Sequence, residues 1–373
     1  MEKNAETADY EEPEGLDDAF GAGWGDYPLD AVFVRSEPRT VGDVVERIGR
    51  ERYILDPEFQ RDFVWKVDKQ SKLIESCIMR IPLPVFYVAE APDGRVIVVD
   101  GLQRLTTFSR FWQDKLRLTG LKARDPDAEH PLEGKCFSDL SVTLQERVVD
   151  TPLTMYILDS KAPERARLDI FERVNGGDPL TRQQMRNALY SGPATVWLRK
   201  AAKSDAFRRA TGGSLNARTM RDREAINRFC AFNLLGVDAY RGDMDVFLAK
   251  GLSELSGRGE AERTRLLDEF ERASALNAEL FGQHAFRKSL VGGPSATRTV
   301  INISLYEVCM VTMSGLGTLS ESQKANLRQS IIELLGDDHF VNAITYSTNS
   351  SSQVRSRFEA MEEVVNSLPL ADL

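Results

Sequence analysis

The chain is 373 residues long, 42% hydrophobic and 28% charged, with 57 acidic residues against 48 lysines and arginines and a formal net charge of -9. That length and apolar content can bury a sizeable core and divide into two domains, and the acidic balance excludes a surface coated in positive charge for indiscriminate DNA binding. No run of about 18 apolar residues marks a membrane span, the acidic start lacks a secretion-signal pattern, and Cys77, Cys136, Cys230 and Cys309 stand far apart with no C-x-x-C pair, which predicts reduced thiols in a cytoplasmic protein and no zinc site.

Residues 1–34 are rich in Asp, Glu and Gly without apolar periodicity and are predicted to be a disordered or loosely docked tail. From 35 to 160 the pattern is mixed. "TVGDVVERIG" and "SKLIESCIMR" read as helices, whereas "PVFYVAE", "VIVVD" and "TPLTMYILD" (151–159) are compact β-branched or aromatic runs predicted as strands. Beyond 160 the strand signals fade and helical patterns follow one another, among them "PERARLDIFERVN", "DREAINRFCAFNLLG", "AERTRLLDEFERASALNAELFG" and "TVINISLYEVCMVTM". The expected fold class is α+β: a small mixed α/β domain over 35–160 and an all-helical domain over 161–373.

"VIVVDGLQRLTTFSRFW" (96–112) combines a buried strand, a tight turn at Asp100-Gly101 and a helix with Leu105, Phe108 and Trp112 at helical spacing. Arg104 falls in the first turn, where the helix dipole disfavours a cation unless an anion is bound nearby. A glycine lets the backbone approach a ligand, and the N–H groups of a first helical turn are donors suited to an anion such as phosphate. Gln103, Arg104, Thr106 and Thr107 add side-chain donors there. The alternative is structural: Asp100 caps the helix and Arg104 pairs with a carboxylate. As a phosphate ligand, Arg104 is dispensable for folding; as an ion-pair partner, its loss costs stability.

Two further stretches bear on that choice. "PEFQRDFVWKVDKQSKLIESCIMRIPLPVFYV" (57–88) carries Gln60, Arg61 and Trp65 in a predicted loop, and "IFERVNGGDPLTRQQMRNALYSG" (170–192) ends a helix at Asn175-Gly176-Gly177 and starts another that carries Arg186 and Asn187. Each also has a structural alternative, with Trp65 in a core, Arg61 in a surface ion pair and the glycines as a helix C-cap.

Together these segments resemble the GmrSD-type domain, named for the type IV restriction system whose N-terminal half it forms. The family marks are a Q-R…W segment, a D-G-Q-Q-R-L-T-T segment and an N-x-G-G…L-T…Q-x-x-R-N-A segment. Here they stand as Gln60-Arg61…Trp65, Asp100 to Thr107 and Asn175 to Ala188, with Leu102 in place of a frequent Gln. The resemblance covers roughly residues 40–190. "MRDREAINRFCAF" and "ITYSTNSSSQVRSRF" also resemble the helical portion of stand-alone members.

The resemblance implies a fold related to ParB and sulfiredoxin, nucleotide binding and, in several defence systems, NTP hydrolysis with Mg2+. By position, Arg104 and Arg61 would contact phosphate oxygens, Gln103 would orient a phosphate or attacking water, and Asp100 would hold the turn or a magnesium ion. Gln60, Trp65, Gly101, Thr106 and Thr107 would line the nucleotide site, and Arg173, Asn175, Arg186 and Asn187 would close it from the helical side. Sulfiredoxin-type covalent chemistry would need a cysteine at the turn, and none stands there. His130, His284 and His339 occupy unrelated contexts, so a histidine-rich nuclease metal site is not expected.

Basic residues cluster over 198–224, where Arg199, Lys200, Lys203, Arg208, Arg209, Arg218, Arg221 and Arg223 form either a nucleic-acid face or a solvated helix surface. The expected function is an NTP-binding and hydrolysing regulatory protein of a bacterial defence or DNA-modification-sensing system, with a separately encoded effector as partner. The alternative is a non-enzymatic module that senses DNA or a nucleotide.

Overall fold

The structure, a computed structural model, describes residues 10–15, 34–55, 65–91, 94–123, 128–174 and 181–368. The chain separates into two compact units. One holds residues 22–180 with 187–189. The other holds 1–21, 181–186 and 190–373.

The first unit is built on a five-stranded mixed sheet of β1 (Val34–Thr40), β2 (Tyr53–Ile54), β3 (Phe86–Glu90), β4 (Val96–Asp100) and β5 (Pro152–Leu158), in the order β1-β5-β3-β4-β2. β1 pairs antiparallel with β5, β5 parallel with β3, β3 antiparallel with β4, and β4 parallel with β2. The predicted strands are the three inner ones, whose apolar runs are buried. β1 and β2 lie at the edges. "VRSEPRT" alternates weakly because it is half-solvated, and it carries Pro38, which an edge strand tolerates.

Helices α1 (Val41–Gly49), α2 (Val67–Ile78), α3 (Leu102–Trp112), α4 (Val142–Val149) and α5 (Glu164–Val174) complete this unit. Thr40 caps α1 by accepting the Asp43 N–H at 3.1 Å. Val41, Val44 and Val45 of α1, Ile74 and Cys77 of α2, and Leu105, Phe108 and Phe111 of α3 bury one stripe each into a common core with Phe86, Val88, Val98 and Met155. Each large side chain so buried contributes about 1.5–3 kcal/mol. Trp112 falls off that stripe; it is 37% exposed and stacks on Phe137 with ring centroids 5.3 Å apart. α5 packs on β4 and belongs with this unit.

The second unit is helical: α6 (Arg182–Leu189), α7 (Pro193–Ala202), α8 (Asp205–Thr211), α9 (Arg221–Leu235), α10 (Met244–Gly257), α11 (Glu260–Phe281), α12 (Ile303–Ser314), α13 (Glu321–Leu334), α14 (Asp338–Thr345) and α15 (Ser351–Asn366). Residues 187–189 at the end of α6 fall in the first unit. Phe270 of α11 sits among Trp197, Phe207 and Phe229, with ring centroids 6.0, 5.7 and 5.2 Å away. α12 runs through the middle, every residue from Ile303 to Met310 buried. It carries the fully buried Glu307, which accepts from Arg228 of α9 at 3.1 Å and from Arg357 of α15. Arg228 lies in "MRDREAINRFCAF" and Arg357 in "ITYSTNSSSQVRSRF", so the two segments singled out in the sequence meet on one carboxylate.

Part of the expected tail is docked. Tyr10–Gly15 runs extended along the helical unit, Glu11 N–H donating to Ser214 O at 3.0 Å, Glu14 N–H to Ile301 O at 2.8 Å and Ile303 N–H to Glu14 O at 2.9 Å.

Candidate functional site

β4 ends at Asp100, and α3 begins after Gly101, whose φ of +102° lies in the left-handed region. Glycine is required twice over. The dihedral disfavours an L side chain, and a Cβ at 101 would stand 2.4 Å from Cδ1 of Phe86. The close approach that the glycine permits is to this core ring, whatever else it admits. No side chain caps α3; the Asp100 carboxylate turns instead to Arg104 Nη2 at 2.9 Å. The capping role of Asp100 weighed in the sequence is therefore not the one observed, although its partnership with Arg104 is.

Arg104 is 9% exposed. Its Nη1 donates to Pro84 O and its Nη2 to Val85 O at 3.0 Å as well as to Asp100. The guanidinium lies 4.1 Å above the Phe86 ring. Burial lowers its pKa, and the neighbouring Asp100 charge and hydrogen bond raise it. Those contacts tie the start of α3 to the entry of β3. They include the carboxylate pair of the structural alternative for Arg104, in which Asp100 and two backbone carbonyls offset the dipole penalty.

Gln103 points to the other predicted segment. Its Oε1 accepts the backbone N–H of Trp65 at 3.3 Å, while Gln70 Nε2 donates to Trp65 O at 2.8 Å and Arg110 Nη1 to Gln70 Oε1 at 3.3 Å. Lys69 Nζ stands 4.4 Å from the centre of the half-buried Trp65 ring. Gln103, Thr106 and Arg110, at spacings of three and four, share the partly exposed face of α3. Thr107 turns inward and donates to Gln103 O at 2.7 Å. Lys69, Gln70 and Arg110 are absent from the sequence reading; the i, i+3, i+7 spacing of Gln103, Thr106 and Arg110 was the available signal for Arg110.

The remaining predicted residues divide. Gln60, Arg61 and Asn175 lie outside the described residues. Arg173 is exposed in the last turn of α5. Arg186 is 1% exposed and pairs with Asp245, donating also to Gln183 Oε1 at 3.1 Å. Asp245 also accepts from Arg182, and the two arginines hold its carboxyl below the usual range against the opposing effect of burial. Thr181 and Gln184 cap each other's backbone N–H at the start of α6, and both bond to the Arg218–Thr219 backbone. Asn187 is buried. In the helical unit Thr181, Gln184 and Arg186 thus act as a structural tie.

A second feature lies in that unit. Arg199, Lys203, Arg208 and Arg223 line a cleft of about 250 Å3 with Tyr10, Phe207 and Asp222. Burial raises the Asp222 pKa to about 6. Lys200, Arg209 and Arg218 are exposed outside that lining. Arg221 departs from the expected solvent-facing cluster: it is 5% exposed and held by Glu224 at 3.3 Å and Glu12 at 3.0 Å. Among the described residues, no three His, Cys, Asp or Glu side chains are grouped to hold a metal ion, and no helix is long and apolar enough to cross a membrane.

Residues 41–191 are matched by the family model described as the GmrSD restriction endonuclease, N-terminal domain. That N-terminal domain is therefore present in the chain, spanning α1 through α6. No curated protein and no solved structure matches the chain.

Proposed function

We propose that this chain, through its GmrSD-type domain, is an NTP-binding and NTP-hydrolysing regulatory component of a bacterial restriction-type defence system, acting in the cytoplasm with a separately encoded effector. One observation carries the reading: α3 opens on a positive-φ glycine and its first turn has no side-chain cap, with Gln103 hydrogen-bonded to Trp65 beside it. Such a terminus suits phosphate oxygens. Gln103, anchored to Trp65, would orient a phosphate or the attacking water, and Lys69 beside the Trp65 ring adds a charge at the same edge. Phosphoryl transfer asks mainly for positioning and charge stabilisation. The Mg2+ that accompanies an NTP would be held chiefly by its phosphates, with the partly exposed Asp100 as the nearest carboxylate on the turn; there it would neutralise phosphate charge.

Binding without turnover is favoured by a separate fact. The Arg104 terminal nitrogens are engaged by Asp100, Pro84 and Val85, which leaves the turn with less positive charge than hydrolysis usually recruits. Nucleic acid as a further partner is supported by the basic cleft of the helical unit.

Calorimetry with ATP, GTP, CTP and UTP in Mg2+, alongside phosphate release with and without DNA, tests the reading. A purine NTP is expected to bind, and Gln103→Ala is expected to weaken it. No binding of any NTP ends the proposal, and binding with no phosphate release under any DNA condition leaves the sensor.

A further inference from the structure

The acidic segment Tyr10–Gly15 lies on a row of cations in the helical unit. Glu11 pairs with Arg287 and, at 2.7 Å, with Arg298; Glu12 with Arg221 at 3.0 Å; and Glu14 with Lys288. Three carboxylates thus meet four cations. Arg287, 1% exposed, also donates to Thr211 O, Ser214 Oγ and Thr299 O, and Arg221, 5% exposed, also pairs with Glu224, so Lys288 and Arg298 are the more open cations under the segment. Pro13 is buried, and backbone bridges to Leu215 and Asn302 hold the segment extended. Tyr10 at its near end lines the cleft of Arg199, Lys203, Arg208 and Arg223.

We propose that Tyr10–Gly15 is a releasable anionic strap over a binding groove for the phosphodiester backbone of nucleic acid, formed by Arg221, Arg287, Lys288 and Arg298 and continuous with the cleft at Tyr10. Charge supports a phosphate backbone as the competing ligand: the cations under the strap hold carboxylates, Arg298 at 2.7 Å and Arg221 at 3.0 Å, and phosphate oxygens accept the same charge-assisted hydrogen bonds from arginine and lysine. Its attachment suits release, because it is held by ion pairs and three backbone hydrogen bonds rather than by a large apolar face. Glu12 is 74% exposed, so its pair is screened and weak. The proposal rests on the nucleic-acid reading of this face and is independent of nucleotide binding at α3.

The test is binding of a fluorescein-labelled 20-base-pair duplex to the full chain against salt, comparing wild type with Glu11→Gln/Glu12→Gln/Glu14→Gln. Glutamine keeps the size of each side chain and one acceptor oxygen while removing its charge. The variant is expected to bind at least about tenfold tighter, with a salt slope steeper by two to four units, one per phosphate newly neutralised. A charge-matched control, Glu359→Gln/Glu362→Gln/Glu363→Gln on the exposed face of α15, is expected to stay near wild type, and adding Lys288→Gln and Arg298→Gln to the strap variant is expected to return it there. Equal affinity and slope in wild type and strap variant, with duplex bound, overturn the strap alone; no duplex bound by either overturns the nucleic-acid reading with it. Should the variant not fold, hydrogen exchange on the wild type decides. Saturating duplex is expected to deprotect the Glu11 and Glu14 amides, and unchanged protection overturns the strap.

Discussion

The Arg104 guanidinium lies over the ring of Phe86, 4.1 Å from its centre, and that same ring leaves no room for a Cβ at position 101. The turn that carries the candidate phosphate site is thus welded to the core strand β3 from two sides. Its shape is set before any ligand arrives.

Arg104→Ala removes donors from Pro84 O, Val85 O and Asp100 at a site with little water. Hydrogen bonds to a charged group contribute about 1.5–3 kcal/mol, so the ligand-free variant should lose about 2–3 kcal/mol in urea denaturation. Arg104→Lys should recover little, because one ammonium cannot reproduce the planar fork. Nucleotide titration of the folded variant separates the roles: a ten- to hundredfold loss of affinity adds a phosphate contact, and an intact affinity makes Arg104 structural alone.

Gly101→Ala should destabilise by about 2 kcal/mol or more, since strain from the left-handed backbone adds to the clash with Phe86. The double variant with Phe86→Leu should not recover wild-type stability, because the dihedral strain persists after the clash is relieved. Full recovery in chemical denaturation would show that the contact was the whole cost.

Asp222 titrates near 6 in the folded chain because burial disfavours its charge. Its folded pKa lies above the unfolded value of about 4, so as pH rises between them the unfolded state gives up the proton first and stability falls, levelling above 6. Two pKa units correspond to about 3 kcal/mol. Asp222→Asn, which can still accept the Arg223 N–H, should therefore gain stability over wild type at pH 7.5 and match it near pH 4. Melting curves across that range check the crossing.

Glu307→Ala should cost about 3–5 kcal/mol, since it leaves Arg228 and Arg357 buried without their shared counter-charge. Glu307→Gln should fall between that variant and wild type. A melting temperature unchanged by either substitution would mean that the helical core tolerates two unpaired guanidiniums, contrary to the burial seen here.

Sequence by itself determined what local periodicity and turn chemistry encode. The inner strands, the strand-turn-helix at 96–112, the helical second half and the buried thiols were legible because apolar spacing reports which face of an element is covered, and a glycine after a strand reports a turn. It also brought Gln103 and Trp65 under suspicion together, and the structure joins them by a hydrogen bond. Only the tertiary structure decided what each charge meets. Arg104 finds Val85 O across 19 residues, Arg186 finds Asp245 across 59, and Arg221 finds Glu12 across 209. An arginine's spacing within its own helix says that it needs an anion or acceptor, not which one. The same holds for residues 10–15, whose acidic composition reads as a solvated tail until the fold sets Arg287, Lys288 and Arg298 beneath them. Those partners lie more than 270 residues along the chain, where no local pattern could announce them.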